Sequence, residues 1–392
     1  MHFTKTRIWL LLGGLVIALY LARGFYFLAF SPTVGAGDLR FRKTELHYFM
    51  KGQNPYEVFL ANASPYSMMK WNFGGRSTEV DPVVGVGDTM SLPAYPPWAY
   101  PLITFFAWPE WPATRAYFAL LNLLALAAIT WALYELAGKG DRGALVATAC
   151  LMNSTFCMTL GMGQLGIMTL LFLALALVYQ QRKKEIPAGI FLGLSLLKPT
   201  ISLPFLIPFL VKKKGKTLSL GAATVLFLWA ITALVTKTPP YDLLTEWLAA
   251  ASALKFEGDG PAHLFAVWGI PRSAFTVLTV AITVPVLFIL RKEPWVLLFG
   301  ITAVAARFWT YHRFYDNILL VFLLLAYIEA GYQKLPPRRF WAGFAVLALT
   351  LWPPASAFNY LTNEFQYIAW TACGAWLAAS PLFLKHWKWR RV

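Results

Sequence analysis

Asp38 stands directly behind the first apolar run of the chain, in Gly35-Ala36-Gly37-Asp38, a placement that needs a reason in a sequence with only 18 acidic residues among 392. Two roles suit it. As the N-cap of a helix starting at Leu39 it would satisfy free backbone N–H groups. As an ionised carboxylate at a helix N-terminus beside Arg40 it would accept a proton from a hydroxyl brought within hydrogen-bond reach. Glu45 and Glu57 are nearby carboxylates, and Glu45 is more simply an ion-pair partner on a basic helix. Further polar groups sit in short turns between apolar runs: Gln164 in Gly161-Met162-Gly163-Gln164, Lys198 in Lys198-Pro199-Thr200, then Arg307, His312 and Arg313. Cations at such positions need a local anion, and a lipid phosphate is the obvious one. The alternatives stay open: Lys198 could reach the interface or pair with an internal carboxylate, Arg307, His312 and Arg313 could be structural, and the Gly-Met-Gly-Gln turn could be a plain hairpin connection. No phosphate loop, dinucleotide fingerprint, serine nucleophile elbow or zinc spacing is present.

The elements that must hold these residues are membrane helices. With 58% hydrophobic and 13% charged residues, and a mean hydropathy of +0.56, the chain has too little polar surface to cover a soluble globule. The net charge of +16 does not point to nucleic acid, because the cations fall in short clusters between apolar runs. These clusters are Lys5/Arg7, Lys139/Arg142, Arg182-Lys183-Lys184, Lys212-Lys213-Lys214/Lys216, Arg291-Lys292, Lys334/Arg338-Arg339 and Lys385/Lys388/Arg390-Arg391. If all are cytoplasmic, an even number of crossings separates each from the next.

That rule predicts an all-α polytopic membrane protein with about 12 transmembrane helices, at about 7–30, 112–136, 143–160, 163–180, 187–198, 200–211, 217–236, 273–290, 294–309, 314–332, 340–354 and 364–384. It also predicts a single domain over 1–392, an uncleaved first span, and a long first external loop over 31–111. Within that loop, Leu39 to Lys51 reads as an amphipathic surface helix, and the proline-broken stretch Ala94 to Trp108 as an interfacial or re-entrant helix. The spans on either side of Lys198 cover only ~18 Å each, which sinks their turn below the surface. Asp38, Gln164, Lys198 and His312 then share the external face. Cys150, Cys157 and Cys373 lie in apolar stretches without metal-like or paired spacing and read as core residues.

The order Asp38, Gly52-x2-Pro55-Tyr56, Tyr95-Pro96-Pro97, Gly163-Gln164, Ala188-Gly189-x3-Gly193-x4-Lys198-Pro199, then His312 near Tyr315, resembles the GT-C glycosyltransferases that use polyprenyl-phosphate sugars. Within that superfamily it is most similar to glycosyltransferase family 87, a group that includes a phosphatidylinositol mannoside α-mannosyltransferase. The resemblance runs over roughly residues 7–330. It implies a GT-C fold in the cytoplasmic (inner) membrane, with the active site at its external boundary. It also implies Asp38 as catalytic base, His312 as a second catalytic residue, and Lys198 for the donor phosphate. Gln164, Arg307, Arg313, Tyr56, Tyr95 and Arg40 complete the expected substrate-binding set. The implied partners are a polyprenyl-phosphate sugar donor, a glycolipid or glycan acceptor and membrane lipids.

A monophosphate leaving group can be stabilised by Lys and Arg, so no cofactor is expected. The lack of an Asp-x-Asp pattern beside Asp38 argues against a required divalent cation. In-line attack would invert the anomeric centre, turning a β-linked mannosyl lipid into an α-linked product. Two competing classes fit the same gross features: a transporter or flippase of a lipid-linked or anionic substrate, and an O-antigen polymerase or ligase.

Overall fold

A computed structural model describes residues 2–30, 36–62, 93–106, 110–253, 271–310, 313–334, 337–353 and 363–383. Among them the chain is α-helical and 3-10 helical with no strand, as expected of a helical membrane protein. The helices used below are α1 (His2–Phe30), α2 (Gly37–Met50), α3 (Pro55–Asn62), α4 (Trp111–Leu136), α5 (Gly140–Leu151), α6 (Thr155–Gly161), α7 (Gly166–Gln181) and α8 (Glu185–Ser195). They continue with α9 (Leu206–Val211), α10 (Gly215–Thr236), α11 (Pro240–Ala253), α12 (Arg272–Ile289), α13 (Trp295–Ala305), α14 (Val321–Lys334), α15 (Pro337–Leu351) and α16 (Asn363–Phe383).

A helix or helix pair stands at each expected span, but they are not equal. By length and composition four segments are fit to cross a bilayer, Thr6–Phe30, Trp111–Leu136, Gly215–Thr236 and Phe314–Gly331, and a fifth is the pair α5 and α6, bent by 57°. The other apolar helices are shorter, including Glu185–Ser195 and Pro199–Val211 on either side of Lys198. At 1.5 Å per residue, α8 covers only ~16 Å, so its turn with the next segment lies part-way through the bundle. Phe314–Gly331 is the central element, with 89% of its residues buried, whereas α1 and α10 have most of their apolar residues on the outside of the bundle. The outer helices accordingly present Leu15, Leu226, Phe227 and Leu234 outward. Close packing of α8 on α10 explains the Gly189-x3-Gly193 spacing: a Cβ at Gly189 would meet the Leu220 Cβ at 2.5 Å, and one at Gly193 the Gly221 carbonyl at 2.6 Å.

Polar contacts bring four of the seven basic clusters to one end. Glu135 binds Lys139 at 3.1 Å and Arg182 at 2.5 Å, Arg142 binds Glu329 at 2.8 Å, and Lys214 approaches Glu185 at 3.5 Å. Lys212 donates to the Arg291 carbonyl at 2.7 Å. Gln164 and Lys198 lie at the other ends of α7 and α8. One expectation for the first loop needs correction: Arg42 does not lie on the outer face of the Leu39–Lys51 helix. It is 4% exposed and pairs at 2.7 Å with the fully buried Glu45, while His47 and Met50 stay exposed. In the proline-rich stretch, the described residues 97–106 form consecutive helical turns, Pro97–Ala99, Tyr100–Ile103 and Thr104–Phe106. Residues 31–35, 63–92 and 107–109 of the expected external loop lie outside the described residues.

Candidate active site

The turn between α6 and α7 receives the start of α2. The Ala36 N–H donates to the Gly161 carbonyl at 2.8 Å and the Asp38 N–H to the Met162 carbonyl at 3.0 Å, so carbonyls of another helix end satisfy the first free donors of α2. The cap residue is Ala36, in the left-handed region at φ 56, and no side chain caps the helix. Asp38 is therefore inside the first turn, and the capping role considered from the sequence does not apply. Gly163 makes the contact possible. Its φ is +71, and a Cβ there would sit 2.5 Å from the Leu39 Cβ.

This docking sets Asp38 against Gln164, whose carboxamide Nε2 donates to Asp38 Oδ2. The other end of that amide, Oε1, accepts from Lys198 Nζ at 3.0 Å and from the Tyr95 hydroxyl at 3.2 Å. Two donors on Oε1 fix the orientation of the amide, so its N–H face is turned to the carboxylate. Asp38 Oδ1 accepts no hydrogen bond among the described residues. Lys198 is held in turn by Asp316 at 2.6 Å and lies 4.8 Å from the centre of the Tyr315 ring. Asp316 Oδ2 accepts the Arg313 N–H at 3.0 Å, and Thr159 of α6 donates to the Tyr315 carbonyl at 3.2 Å, which locks this segment to the Gln164 turn. The Tyr95 carbonyl accepts the Tyr56 hydroxyl at 2.6 Å, and the Trp98 indole N–H donates to the Leu196 carbonyl at 2.8 Å, clamping the first loop to the Lys198 turn.

Asp38 is half-buried in this chain of contacts. Burial pushes its carboxyl above the ordinary value, opposed by the hydrogen bond from Gln164 and the charges of Arg42, Lys198 and Arg313. Arg42 contributes from below, with its guanidinium 4.6 Å from the Tyr95 ring centre and paired to Glu45. The carboxylates Asp38, Glu45 and Asp316 are thus matched by the cations Arg42, Lys198 and Arg313. Arg307 is a further cation, 3% exposed at the end of α13, and its Nη2 donates to the Tyr367 hydroxyl at 3.3 Å. Among the described residues its Nε and Nη1 have no hydrogen-bond partner. Arg307 is linked to the Lys198 turn through the next residues, since Trp309 and Thr310 both donate to the Thr200 carbonyl, at 2.6 and 3.1 Å.

Of the residues singled out from the sequence, Asp38, Gln164, Lys198 and Tyr95 meet directly, and Tyr56 and Arg313 support them. Arg40 is turned away, 5.1 Å from the Trp111 ring centre, because on α2 it points to the face opposite the Gln164 turn. His312 lies outside the described residues. Sequence reasoning missed Asp316 and the inward Arg42. Asp316 carried the same signal as Asp38: an acid at the start of an apolar run in an acid-poor chain.

Residues 94–330 match the model of glycosyltransferase family 87, which includes Gln164, Lys198, Arg307, Arg313 and Asp316 but not Asp38. No curated protein and no solved structure matches the chain. The match spans more than half of the sequence, and a helical membrane fold with a carboxylate, an amide and buried cations at one end of its bundle agrees with it. The chain belongs to glycosyltransferase family 87.

Proposed function

We propose that this membrane glycosyltransferase moves a sugar, mannose by the resemblance, from a polyprenyl-phosphate carrier to a hydroxyl of a lipid-linked or glycan acceptor at the external face. One observation carries the reading: the Gln164 amide, fixed by Lys198 and Tyr95, occupies Asp38 Oδ2 and leaves Oδ1 to accept the proton of a hydroxyl. Burial makes that carboxylate a stronger proton acceptor than an exposed one.

In the proposed step the acceptor oxygen bonds to the anomeric carbon as its proton passes to Asp38 Oδ1. The bond from that carbon to the phosphate oxygen breaks, and the electron pair leaves with polyprenyl phosphate. Displacement from the face opposite the phosphate inverts the centre. The charges around Asp38 balance among the described residues, so the donor phosphate calls for another cation, and Arg307 supplies two donor nitrogens that have no partner among the described residues. Lys198 gives two N–H bonds to Asp316 and Gln164 and has a third to offer.

The test is Asp38→Asn in purified protein supplied with a polyprenyl-phosphate sugar and acceptor. Transfer should fall by about 10²–10⁴-fold, the usual weight of a general base, with the melting temperature unchanged because no cap is lost. Sugar transfer and release of polyprenyl phosphate near the parent rate would remove Asp38 from the mechanism. Movement of the intact lipid without release of polyprenyl phosphate would favour a flippase.

A further inference from the structure

The end of the bundle remote from Asp38 carries a second built feature. A cavity of about 370 Å³ is lined by Val211, Lys212, Lys213, Lys214, Arg291 and Trp295, in the range of small-ligand sites. The segment from Pro199 to Val211 separates it from Lys198 by ~20 Å at helical rise, so it is distinct from the candidate active site.

Two loops that are distant in sequence form the cavity, and one lysine joins them. Lys212 Nζ donates to the carbonyls of Arg291 at 2.7 Å and Glu293 at 2.6 Å, and lies 5.1 Å from the Trp295 ring centre. Two of its three N–H bonds are therefore used to hold the cavity wall. Burial brings its pKa down to about 8, opposed by the charge of Glu293 and added to by repulsion from Lys214. Lys213 is exposed, and Lys214 and Arg291 are half-exposed. No carboxylate lines the cavity; Glu185 reaches Lys214 from the side at 3.5 Å. Two helices also begin at its rim, α10 after Lys214 and α13 at Trp295, and neither has a side-chain cap. Free N–H groups and the positive ends of two helix dipoles thus add to the cations. Within three positions of the lining residues Val211 and Arg291 in sequence, Leu210, Phe288 and Ile289 are 60%, 50% and 59% exposed, and the Arg291 guanidinium lies 4.2 Å from the Phe288 ring centre, so apolar surface adjoins the basic centre.

We infer that this cavity binds the phosphate headgroup of an anionic phospholipid from the leaflet on the side of the basic loops, with an acyl chain along Leu210, Phe288 and Ile289. A phosphate diester matches the cations and helix ends, Trp295 suits the headgroup level, and the adjoining apolar surface distinguishes a lipid from a soluble phosphate.

The test uses the full chain in detergent, with native mass spectrometry of added phosphatidylglycerol, phosphatidylcholine or inorganic phosphate. One phosphatidylglycerol should be retained over phosphatidylcholine. Lys213→Gln with Arg291→Gln should weaken that retention by about 30-fold, the effect of two basic contacts at a membrane surface. Lys212 is left in place to keep the wall, and Lys216→Gln, an exposed cation outside the cavity, should match the parent. Unchanged melting of the double variant without lipid would confirm that its fold is kept. Equal retention of the two lipids, or equal loss in Lys216→Gln and the double variant, would overturn the site. Binding of inorganic phosphate that displaces the lipid completely would overturn the lipid assignment and leave a soluble phosphate as the ligand.

Discussion

Gln164→Leu separates the positioning of Asp38 from the general need for a folded membrane domain. The substitution keeps approximate volume but removes the donor to Asp38 Oδ2 and the acceptor shared by Lys198 and Tyr95. A hydrogen bond to a charged group contributes about 1.5–3 kcal/mol, so its loss shifts the balance between ionised and protonated Asp38 by about 10- to 150-fold toward the protonated form. The sign follows from the base role. Asp38 works as the carboxylate, and activity is lost as pH falls through its pKa, which burial already raises. Losing the Gln164 donor raises it further. The acidic limb of the kcat/KM profile for sugar transfer should therefore move to higher pH, with the largest deficit at low pH and partial recovery toward alkaline pH. A residual deficit on the plateau would reflect lost orientation of the carboxylate. The unpartnered Tyr95 hydroxyl should also lower stability by about 1–3 kcal/mol, read as a fall in melting temperature. An acidic limb that stays in place or moves to lower pH, with a parental plateau, would refute the argument.

Gly163→Ala should lower the melting temperature and abolish transfer together, since a Cβ 2.5 Å from the Leu39 Cβ and a φ of +71 cost at least about 2 kcal/mol and push α2 off the turn; a variant with parental stability and rate would contradict this. Asp316→Ala should destabilise by about 3–5 kcal/mol by stranding Lys198, while Lys198→Met combined with Asp316→Leu should recover most of that stability without recovering activity, as measured by unfolding and transfer assays. Arg307→Gln should leave stability unchanged or raise it, because a buried charge with two nitrogens unpaired among the described residues is removed, yet raise the KM for the lipid donor at least about 10-fold; an unchanged donor KM would take Arg307 out of the phosphate site.

The amino-acid sequence by itself determined the helical membrane class, the places where helices stand, and the short list from which the site is drawn. Hydropathy and charge clustering are local properties, and a carboxylate or lysine at the edge of an apolar run is visible without any knowledge of packing. The length of those helices was less legible: a run of apolar residues marks a helix, but whether it crosses a bilayer or stops at an internal turn, as α8 does before Lys198, depends on what surrounds its end. Tertiary structure alone decided the partners. Gln164 meets Asp38 across 126 positions and Lys198 meets Asp316 across 118, while Arg40 and Arg42, two residues apart on α2, go to opposite surroundings. Such pairings depend on how α2 docks on the glycine turn and how the segment at Arg313 docks on α6, and the free energy of those contacts is a property of the packed chain, absent from any single stretch of it.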